Sequence, residues 1–239
     1  MLYPVRRITL AGMPTVLLIR HGRTAANASG TLAGRTPGVH LDDKGREQCE
    51  ALALRLAAVP LMAAVVSPLE RTQETASVIL AGREVPIHLD ERVAECRYGT
   101  WTGQSLKVLA KDPLWKVVQS HPSAVTFPGS DGESMIDMQH RAVSAVRTWN
   151  STLASDAIYA VVSHGDVIKS ILADALGMHL DQFQRIHVDP ASVSIVEYTA
   201  SRPFVQRTND TSGDLSHLSV KRGKKKSSSD AAVGGGAGR

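Results

Sequence analysis

Three short apolar runs, rich in β-branched residues, are each followed at once by a polar segment. The runs cover residues 15–19, 63–66 and 160–162, and their length and composition predict buried β-strands. The segments that follow them are Arg20-His21-Gly22-Arg23-Thr24, Ser67-Pro68-Leu69-Glu70-Arg71-Thr72 and Ser163-His164-Gly165-Asp166. Each segment therefore marks the point where a buried strand ends and a loop or helix begins.

Helical periodicity separates these strands. The spacing of apolar residues predicts helices over residues 43–59, from Pro68 to about Leu80, from Glu133 to about Leu153, and over 166–177. Further strands are predicted over residues 87–89 and 192–198. Strands that alternate with helices favour an α/β fold, here a three-layer sandwich with a mostly parallel central sheet and helices on both faces.

Helix-capping patterns follow two of the strands. Ser67 and Glu70 have the spacing of a capping box, and so do Ser163 and Asp166. Both serines are therefore predicted to cap the helix that follows them.

We predict that the chain has three parts, the last of which differs from the others in charge. We predict an N-terminal extension over residues 1–12, with Met13 as the physiological start instead of Met1, and one domain over residues 13–200. Residues 1–200 carry a net charge of −1, whereas residues 201–239 carry +5. This basic tail is predicted to be disordered, because its composition cannot bury enough apolar area to offset its ordering entropy. A solvated tail is favoured over one that contacts nucleic acid.

Composition limits where the chain can act. No apolar run approaches the 18 or so residues that a membrane span needs, so no membrane partner is expected. The two cysteines, Cys49 and Cys96, fit neither a metal site nor a disulfide framework. Cys49 lies on the apolar face of a predicted helix, where core packing is the favoured role. We expect a cytoplasmic protein.

Two arginines and two histidines fall at the predicted strand ends. In open α/β sheets, ligands bind beyond the carboxyl ends of the strands, so Arg20, His21, Arg71 and His164 should meet in one small volume. Guanidinium groups neutralise phosphoryl oxygens, and an imidazole nitrogen can attack phosphorus. The alternative at this point is that Arg71 pairs with a helix carboxylate and His164 merely caps a turn.

Five segments, in order, resemble the signature of the histidine phosphatase superfamily, in its phosphoglycerate mutase-like branch. They are Arg20-His21-Gly22-Arg23-Thr24 with Asn27 and Gly34 beyond it, Leu41-Asp42-Asp43-Lys44-Gly45, residues 67–76, Glu95 in residues 95–103, and Ser163-His164-Gly165. The resemblance covers residues 15 to about 198, and it implies that residues 98–155 form a small, variable cap segment that sets substrate choice.

The resemblance implies a role for each matching position. His21 is expected to be the nucleophile that becomes phosphohistidine, and Glu95 the general acid and base. Arg20, Arg71 and His164 are expected to clamp the phosphoryl group, with a hydrogen bond from Asn27. It implies no cofactor and no metal, because the arginines and His164 already balance the phosphoryl charge.

Substrate contacts are less well defined by the motifs. Thr24 and Gly165 are candidate substrate-binding residues. Arg23 replaces the Glu or Gln that often follows Arg-His-Gly in the family, and it either faces the pocket mouth or pairs with an acid on a loop. Residues 128–134 resemble the family's Gly-Glu-Ser segment, where Glu133 and Ser134 border the pocket or cap a helix.

Two activities fit the resemblance. The first is a phosphomonoester hydrolase acting on a small phosphorylated substrate. The second is a phosphomutase of the phosphoglycerate mutase type. A non-catalytic phosphate-binding regulator is disfavoured, because every expected catalytic position is occupied. The short cap favours hydrolysis, since the longer insertion of the mutases excludes water from the site. A homodimer is a further expectation, because dimers are common in the family.

Overall fold

The computed structural model describes residues 14–211. The predicted extension over residues 1–12, the Met13 start and the basic run over residues 221–226 lie outside these residues.

A six-stranded sheet forms the centre of the fold. Its strands are β1 (Thr15–Arg20), β2 (Leu61–Val66), β3 (Ile87–Leu89), β4 (Ile158–Ser163), β5 (Val193–Tyr198) and β6 (Pro203–Asp210). Their order across the sheet is β3-β2-β4-β1-β5-β6. The first four strands in this order pair in parallel, whereas β5 is antiparallel to both β1 and β6. The predicted α/β class and mostly parallel sheet are confirmed.

Seven α-helices surround the sheet in the described part of the chain. They are α1 (Ala25–Ser29), α2 (Asp43–Leu56), α3 (Glu70–Ile79), α4 (Leu106–Leu109), α5 (Pro113–Ser120), α6 (Met135–Thr152) and α7 (Gly165–Ala175). Short helices α4 and α5 lie in the predicted cap, and α6 closes it.

Alternation along β1 assigns the helices to two faces of the sheet. Val16 and Leu18 belong to a core that includes residues of α6 and α7, whereas Leu17 and Ile19 belong to a second core that includes residues of α2 and α3. Because successive side chains of a strand point to opposite faces, helices cover both faces, as predicted. Cys49 is fully buried in the second core.

The register of the parallel strands brings three chain segments to one edge. Arg20 of β1 pairs with Ser163 of β4, and the next amide, that of His21, donates to the Ser163 carbonyl at 3.0 Å. The amide of Ser67, just after β2, donates to the carbonyl of Val162 at 3.0 Å. The carboxyl ends of β1, β2 and β4 are therefore neighbours, and the polar segments that follow them meet.

Strand β6 corrects the predicted domain boundary at residue 200. Residues 203–210 pair with β5 and continue the sheet to Asp210. Arg55 of α2 holds the end of this strand through an ion pair of 2.9 Å with Asp210. The polar composition is compatible with a strand because β6 lies at the sheet edge, where side chains on both faces reach solvent.

The predicted caps at Ser67 and Ser163 were wrong. Helix α3 begins after Leu69 and α7 after His164, and neither helix has a side-chain cap. The Ser67 hydroxyl instead lies 2.7 Å from Nε2 of His164, and the Ser163 hydroxyl donates to the carbonyl of Val93 at 2.7 Å. Long-range partners have therefore replaced the local capping bonds.

We expect Gly45→Ala to destabilise the fold, although alanine normally favours a helix by about 1 kcal/mol over glycine. A Cβ atom at this position of α2 would lie 2.0 Å from the carbonyl oxygen of Arg23. The loop after β1 would have to move, so the free energy of unfolding should fall by about 2 kcal/mol or more. Urea denaturation measures this.

The matched control is Lys44→Ala, an exposed position in the same turn of α2. It should leave the free energy of unfolding nearly unchanged. A Gly45→Ala variant as stable as the unsubstituted chain would contradict the packing described here.

Candidate active site

His21 presents one ring nitrogen with a lone pair. Its Nδ1 lies 2.7 Å from the carbonyl oxygen of Gly22, and because a carbonyl only accepts, Nδ1 carries the proton. Nε2 is then the unprotonated nitrogen, and Nε of Arg71 donates to it at 3.3 Å. Burial, followed by the charges of Arg71 and Arg20, holds the pKa of His21 well below its usual range. The ring is therefore neutral at neutral pH.

Arg71 connects three segments of the site. Besides its contact with His21, its Nη2 donates to the carbonyl of Gly34 at 2.8 Å and to Nδ1 of His164 at 3.2 Å. Its Nη1 is buried and has no hydrogen-bond partner among the described residues. A buried donor on a cation is costly to leave unpaired, so this atom favours an anionic ligand.

Arg20 places a second guanidinium beneath the same volume. Its Nη1 donates to the carbonyl of Val188 at 2.8 Å, and the side chain is buried. Burial lowers the pKa of Arg20 to about 10, against the opposing effects of Glu95 and Asp166. Arg20 remains a cation at neutral pH, so the site holds two fixed positive charges.

His164 is held as a neutral imidazole. Its Nδ1 accepts from Arg71, so the proton is on Nε2, which donates to the Ser67 hydroxyl at 2.7 Å. Its ring centroid is 5.3 Å from that of His21. Burial and the charge of Arg71 lower its pKa well below the usual range. Ser67 thus accepts the hydrogen bond of a residue that is 97 positions away in sequence, with the tautomer determined by Arg71.

Glu95 is a buried carboxyl group beside these residues. Its Oε1 accepts from the amide of Cys96 at 3.0 Å, and its Oε2 lies 3.9 Å from Nδ1 of His164. Burial, and next the charge of Asp166, raise the pKa of Glu95 to about 7. This side chain is therefore poised to hold a proton or release it near neutral pH.

An ion pair that the sequence analysis did not identify supports the Glu95 backbone. Arg141 of α6 binds both carboxylate oxygens of Glu133, at 2.6 and 2.9 Å. The same guanidinium donates to the carbonyls of Arg92, Ala94 and Glu95. An arginine among the inward-facing positions of α6 was the signal available in the sequence.

A second group of buried polar side chains lies behind Glu95. The Tyr98 hydroxyl donates to Asp166 at 2.9 Å, and Nζ of Lys169 lies 3.5 Å from the same carboxylate. Lys169 also donates to Gln184 at 3.0 Å. The sequence pattern predicts Asp166 only as part of a helix cap, whereas the structure shows it bound to Tyr98 and Lys169.

Thr24 and Asn27 cap α1 together. The Thr24 hydroxyl accepts from the amide of Asn27 at 3.2 Å, and Asn27 Oδ1 accepts from the amide and hydroxyl of Thr24 at 3.1 and 3.0 Å. Both side chains also border the cleft over His21. Gly165, the first residue of α7, is buried immediately after His164.

Arg23 pairs with an acid, the second of the two alternatives. Its Nε donates to Asp42 at 2.8 Å, and the side chain is absent from the cleft walls. Ser134 caps α6 by accepting from the amide of Asp137, while Glu133 pairs with Arg141. Capping is thus the observed role of Ser134.

A cleft of small and apolar residues leads to His21. Within residues 14–211 its walls are formed by His21, Thr24, Ala26, Asn27, Gly30, Thr31, Leu32, Ala33, Gly34, Arg71, Glu95 and Leu106. Loop 30–34, α1 and α4 therefore surround the position that a ligand would take above His21.

Neither a membrane-spanning helix nor a cluster of metal ligands occurs within the described residues. None of the helices within residues 14–211 is long and apolar enough to cross a membrane. In the same residues, no group of three or more His, Cys, Asp or Glu side chains is arranged to hold a metal ion.

A family model for the histidine phosphatase superfamily (branch 1) matches residues 16–211. The chain belongs to this superfamily. The resemblance drawn from the five motifs is confirmed, and strand β6 lies within the matched range.

Named relatives share a quarter to a third of its residues. The bifunctional protein Rv2228c from Mycobacterium tuberculosis is 34% identical over 211 residues, which are 85% of this chain and 56% of that protein. The chain thus spans little more than half the length of this relative. Phosphoserine phosphatase 1 from Hydrogenobacter thermophilus is 28% identical over 83% of the chain and 93% of its own length.

A solved structure supports the same assignment. YhfR from Bacillus stearothermophilus is 30% identical and superposes with a TM-score of 0.75, covering 86% of this chain and 99% of that one. The fold and the family are therefore consistent between sequence and structure.

We expect Glu95→Gln to become more stable relative to the unsubstituted chain as pH rises. The raised pKa of Glu95, about 7 against the usual 4.5, means that the folded chain binds the extra proton between these values. Its stability therefore falls through that window, whereas glutamine does not titrate. The difference in unfolding free energy should grow by up to about 3 kcal/mol between pH 5 and pH 8.

Urea denaturation at four pH values between 5 and 8 measures this difference. Glu84→Gln, at an exposed position, is the matched control and should show little change over the same range. A difference for Glu95→Gln that stays constant with pH would show that burial does not hold a proton on Glu95.

Proposed function

We propose that this protein hydrolyses phosphate monoesters through a phosphohistidine formed at His21. One observation carries the proposal: the unprotonated Nε2 of the buried His21 ring accepts a hydrogen bond from Nε of Arg71 at 3.3 Å. A neutral imidazole nitrogen beside a fixed guanidinium is a nucleophile placed next to a group that binds its phosphoryl target.

The first step transfers the phosphoryl group to the enzyme. Nε2 of His21 attacks phosphorus, the N–P bond forms, and the P–O bond to the alcohol breaks. Glu95 gives its proton to the departing oxygen, so that a neutral alcohol leaves. A carboxyl group with a pKa of about 7 is suited to this donation at neutral pH.

The second step returns the enzyme to its starting state. Water attacks the phosphorus of phosphohistidine, and Glu95, now a carboxylate, accepts a proton from that water. The N–P bond breaks, Nε2 regains its lone pair, and inorganic phosphate is released. The proton that Glu95 gave away in the first step is thereby replaced.

The surrounding groups stabilise charge on the phosphoryl oxygens. Arg71, through its unpartnered Nη1, and Arg20 provide the positive charge that phosphoryl transfer requires. Asn27, which lines the cleft, can donate a hydrogen bond from its side-chain amide, whereas His164 acts through Arg71, whose Nη2 it accepts from. Because these cations are built into the fold, we expect a chelator such as EDTA to leave the activity unchanged.

Hydrolysis is favoured over phosphoryl transfer between positions of one metabolite. The described segment between Glu95 and His164 is short, and phosphoserine phosphatase 1, a relative that the chain matches over 93% of its length, is named as a phosphatase. A mutase would instead act on 3-phosphoglycerate and depend on a bisphosphate primer, so turnover of 3-phosphoglycerate only when such a primer is added would favour the mutase.

His21→Ala should reduce kcat/KM for p-nitrophenyl phosphate by about 10³-fold or more, because the covalent route is lost. Release of p-nitrophenolate measures this in the presence and absence of EDTA. His121→Ala, an exposed histidine, is the matched control and should retain full activity. Residual activity of His21→Ala within tenfold of the unsubstituted protein would contradict the proposal.

Glu95→Gln should affect poor leaving groups more than good ones. For glycerol 3-phosphate, whose alkoxide needs a proton, kcat/KM should fall about 10²- to 10⁴-fold. For p-nitrophenyl phosphate, whose phenolate leaves unaided, the loss should be under tenfold. The comparison uses kcat/KM because this constant reports the first step alone. Equal losses for the two esters would exclude Glu95 as the acid.

A further inference from the structure

Within residues 14–211, the walls of the cleft above His21 offer positive charge for one anionic group. Among the wall residues of the described chain, the charged or titratable side chains are His21, Arg71 and Glu95. Both imidazoles of the site are neutral, and Arg71 faces the position of the phosphoryl group. The remaining wall residues are uncharged. They include Ala26, which precedes loop 30–34 in the sequence, and Leu106, which follows it.

Nearby arginines are already engaged with other groups. Arg23 pairs with Asp42 at 2.8 Å. Arg35 donates from Nε to the backbone carbonyl of Glu95 at 2.7 Å, and its Nη1 lies 3.3 Å from Glu91.

Arg97, next but one to Glu95, has Nη2 at 3.8 Å from Glu133. None of these three guanidinium groups lines the cleft. A second anion on the substrate would therefore lie near Glu95 and uncharged walls, without a partner cation among the described wall residues.

We propose that the natural substrate is the phosphate ester of an uncharged alcohol, because among the described cleft walls Arg71 alone is a cation, and it faces the phosphoryl group. This inference rests on the proposed function. It predicts that phosphoserine and phosphoglycerate are poor substrates. Their carboxylate would lose its hydration on entering the cleft and would gain no ion pair in return.

Glycerol 3-phosphate and 3-phosphoglycerate provide a matched test. They share a three-carbon chain with a phosphate ester at one end, and differ in a hydroxymethyl group against a carboxylate at the other. Each is measured on the full chain as a competitor of p-nitrophenyl phosphate, so that a slowly hydrolysed ester still gives an inhibition constant. Glycerol 3-phosphate should have an inhibition constant at least tenfold lower.

Ala26→Arg adds a cation to the cleft and should reduce the discrimination. Ala26 is half-buried on α1 and lines the cleft, and the new guanidinium should lower the inhibition constant of 3-phosphoglycerate at least tenfold relative to that of glycerol 3-phosphate. Ala28→Arg introduces the same charge on the same helix at an exposed position outside the cleft walls. It should leave the ratio within twofold of the unsubstituted protein.

The outcomes separate the inference from the proposed function. Competition by 3-phosphoglycerate that is stronger than, equal to or within tenfold of that by glycerol 3-phosphate overturns the inference, as does the absence of competition by both. This ratio is measured on the unsubstituted protein and needs no variant to fold. An unchanged ratio in folded Ala26→Arg also overturns it. If p-nitrophenyl phosphate hydrolysis does not depend on His21, the proposed function fails instead.

Discussion

The site depends on one buried cation placed between two neutral imidazoles. The Arg71 guanidinium donates to Nε2 of His21, to Nδ1 of His164 and to the carbonyl of Gly34. Because a guanidinium cannot accept a hydrogen bond, these contacts determine which ring nitrogens are unprotonated. Moving Arg71 would release the tautomer of His164, whereas that of His21 is also held by the Gly22 carbonyl. It would also remove a charge that, after burial, lowers the pKa values of both rings.

The fold keeps this cation in place by using three parallel strands as a common base. His21 follows β1, His164 follows β4, and Arg71 lies in the first turn of α3 shortly after β2. Thr75 ties two of these segments together: its hydroxyl accepts from the amide of Gly22 at 3.0 Å and donates to the carbonyl of Arg71 at 2.7 Å. The separation between His21 and Arg71 is therefore also held by hydrogen bonds from Thr75 to the backbone of both segments.

Local sequence patterns predicted the strand ends and the convergence of their polar segments. Arg20, His21, Arg71 and His164 were identifiable because buried strands have a clear pattern and parallel strands share one carboxyl edge. The hydroxyls of Ser67 and Ser163 were misassigned, since a capping pattern describes the next few residues and their actual partners are distant in sequence. Strand β6 was missed because an edge strand needs no apolar alternation.

The contacts that hold the backbone of Glu95 could not be predicted from local sequence patterns either. Arg141, which is paired with Glu133, donates hydrogen bonds to backbone carbonyls within residues 92–95. These bonds join helix α6 to a loop more than 40 residues earlier in the sequence. Glu133 had been noted within the Gly-Glu-Ser segment, but nothing in the sequence indicated which arginine it would bind. Tertiary contacts between segments without regular periodicity were the part that sequence alone could not provide.

The most direct test of the account is the position of the phosphoryl group on the enzyme. Protein mixed briefly with p-nitrophenyl phosphate can be quenched in alkali, digested and analysed by mass spectrometry, with the phosphohistidine isomer assigned by ³¹P NMR. Because Nδ1 of His21 is bound to the Gly22 carbonyl, we expect phosphate on Nε2 of His21. Phosphate on Nδ1, or on a residue other than His21, would contradict the account.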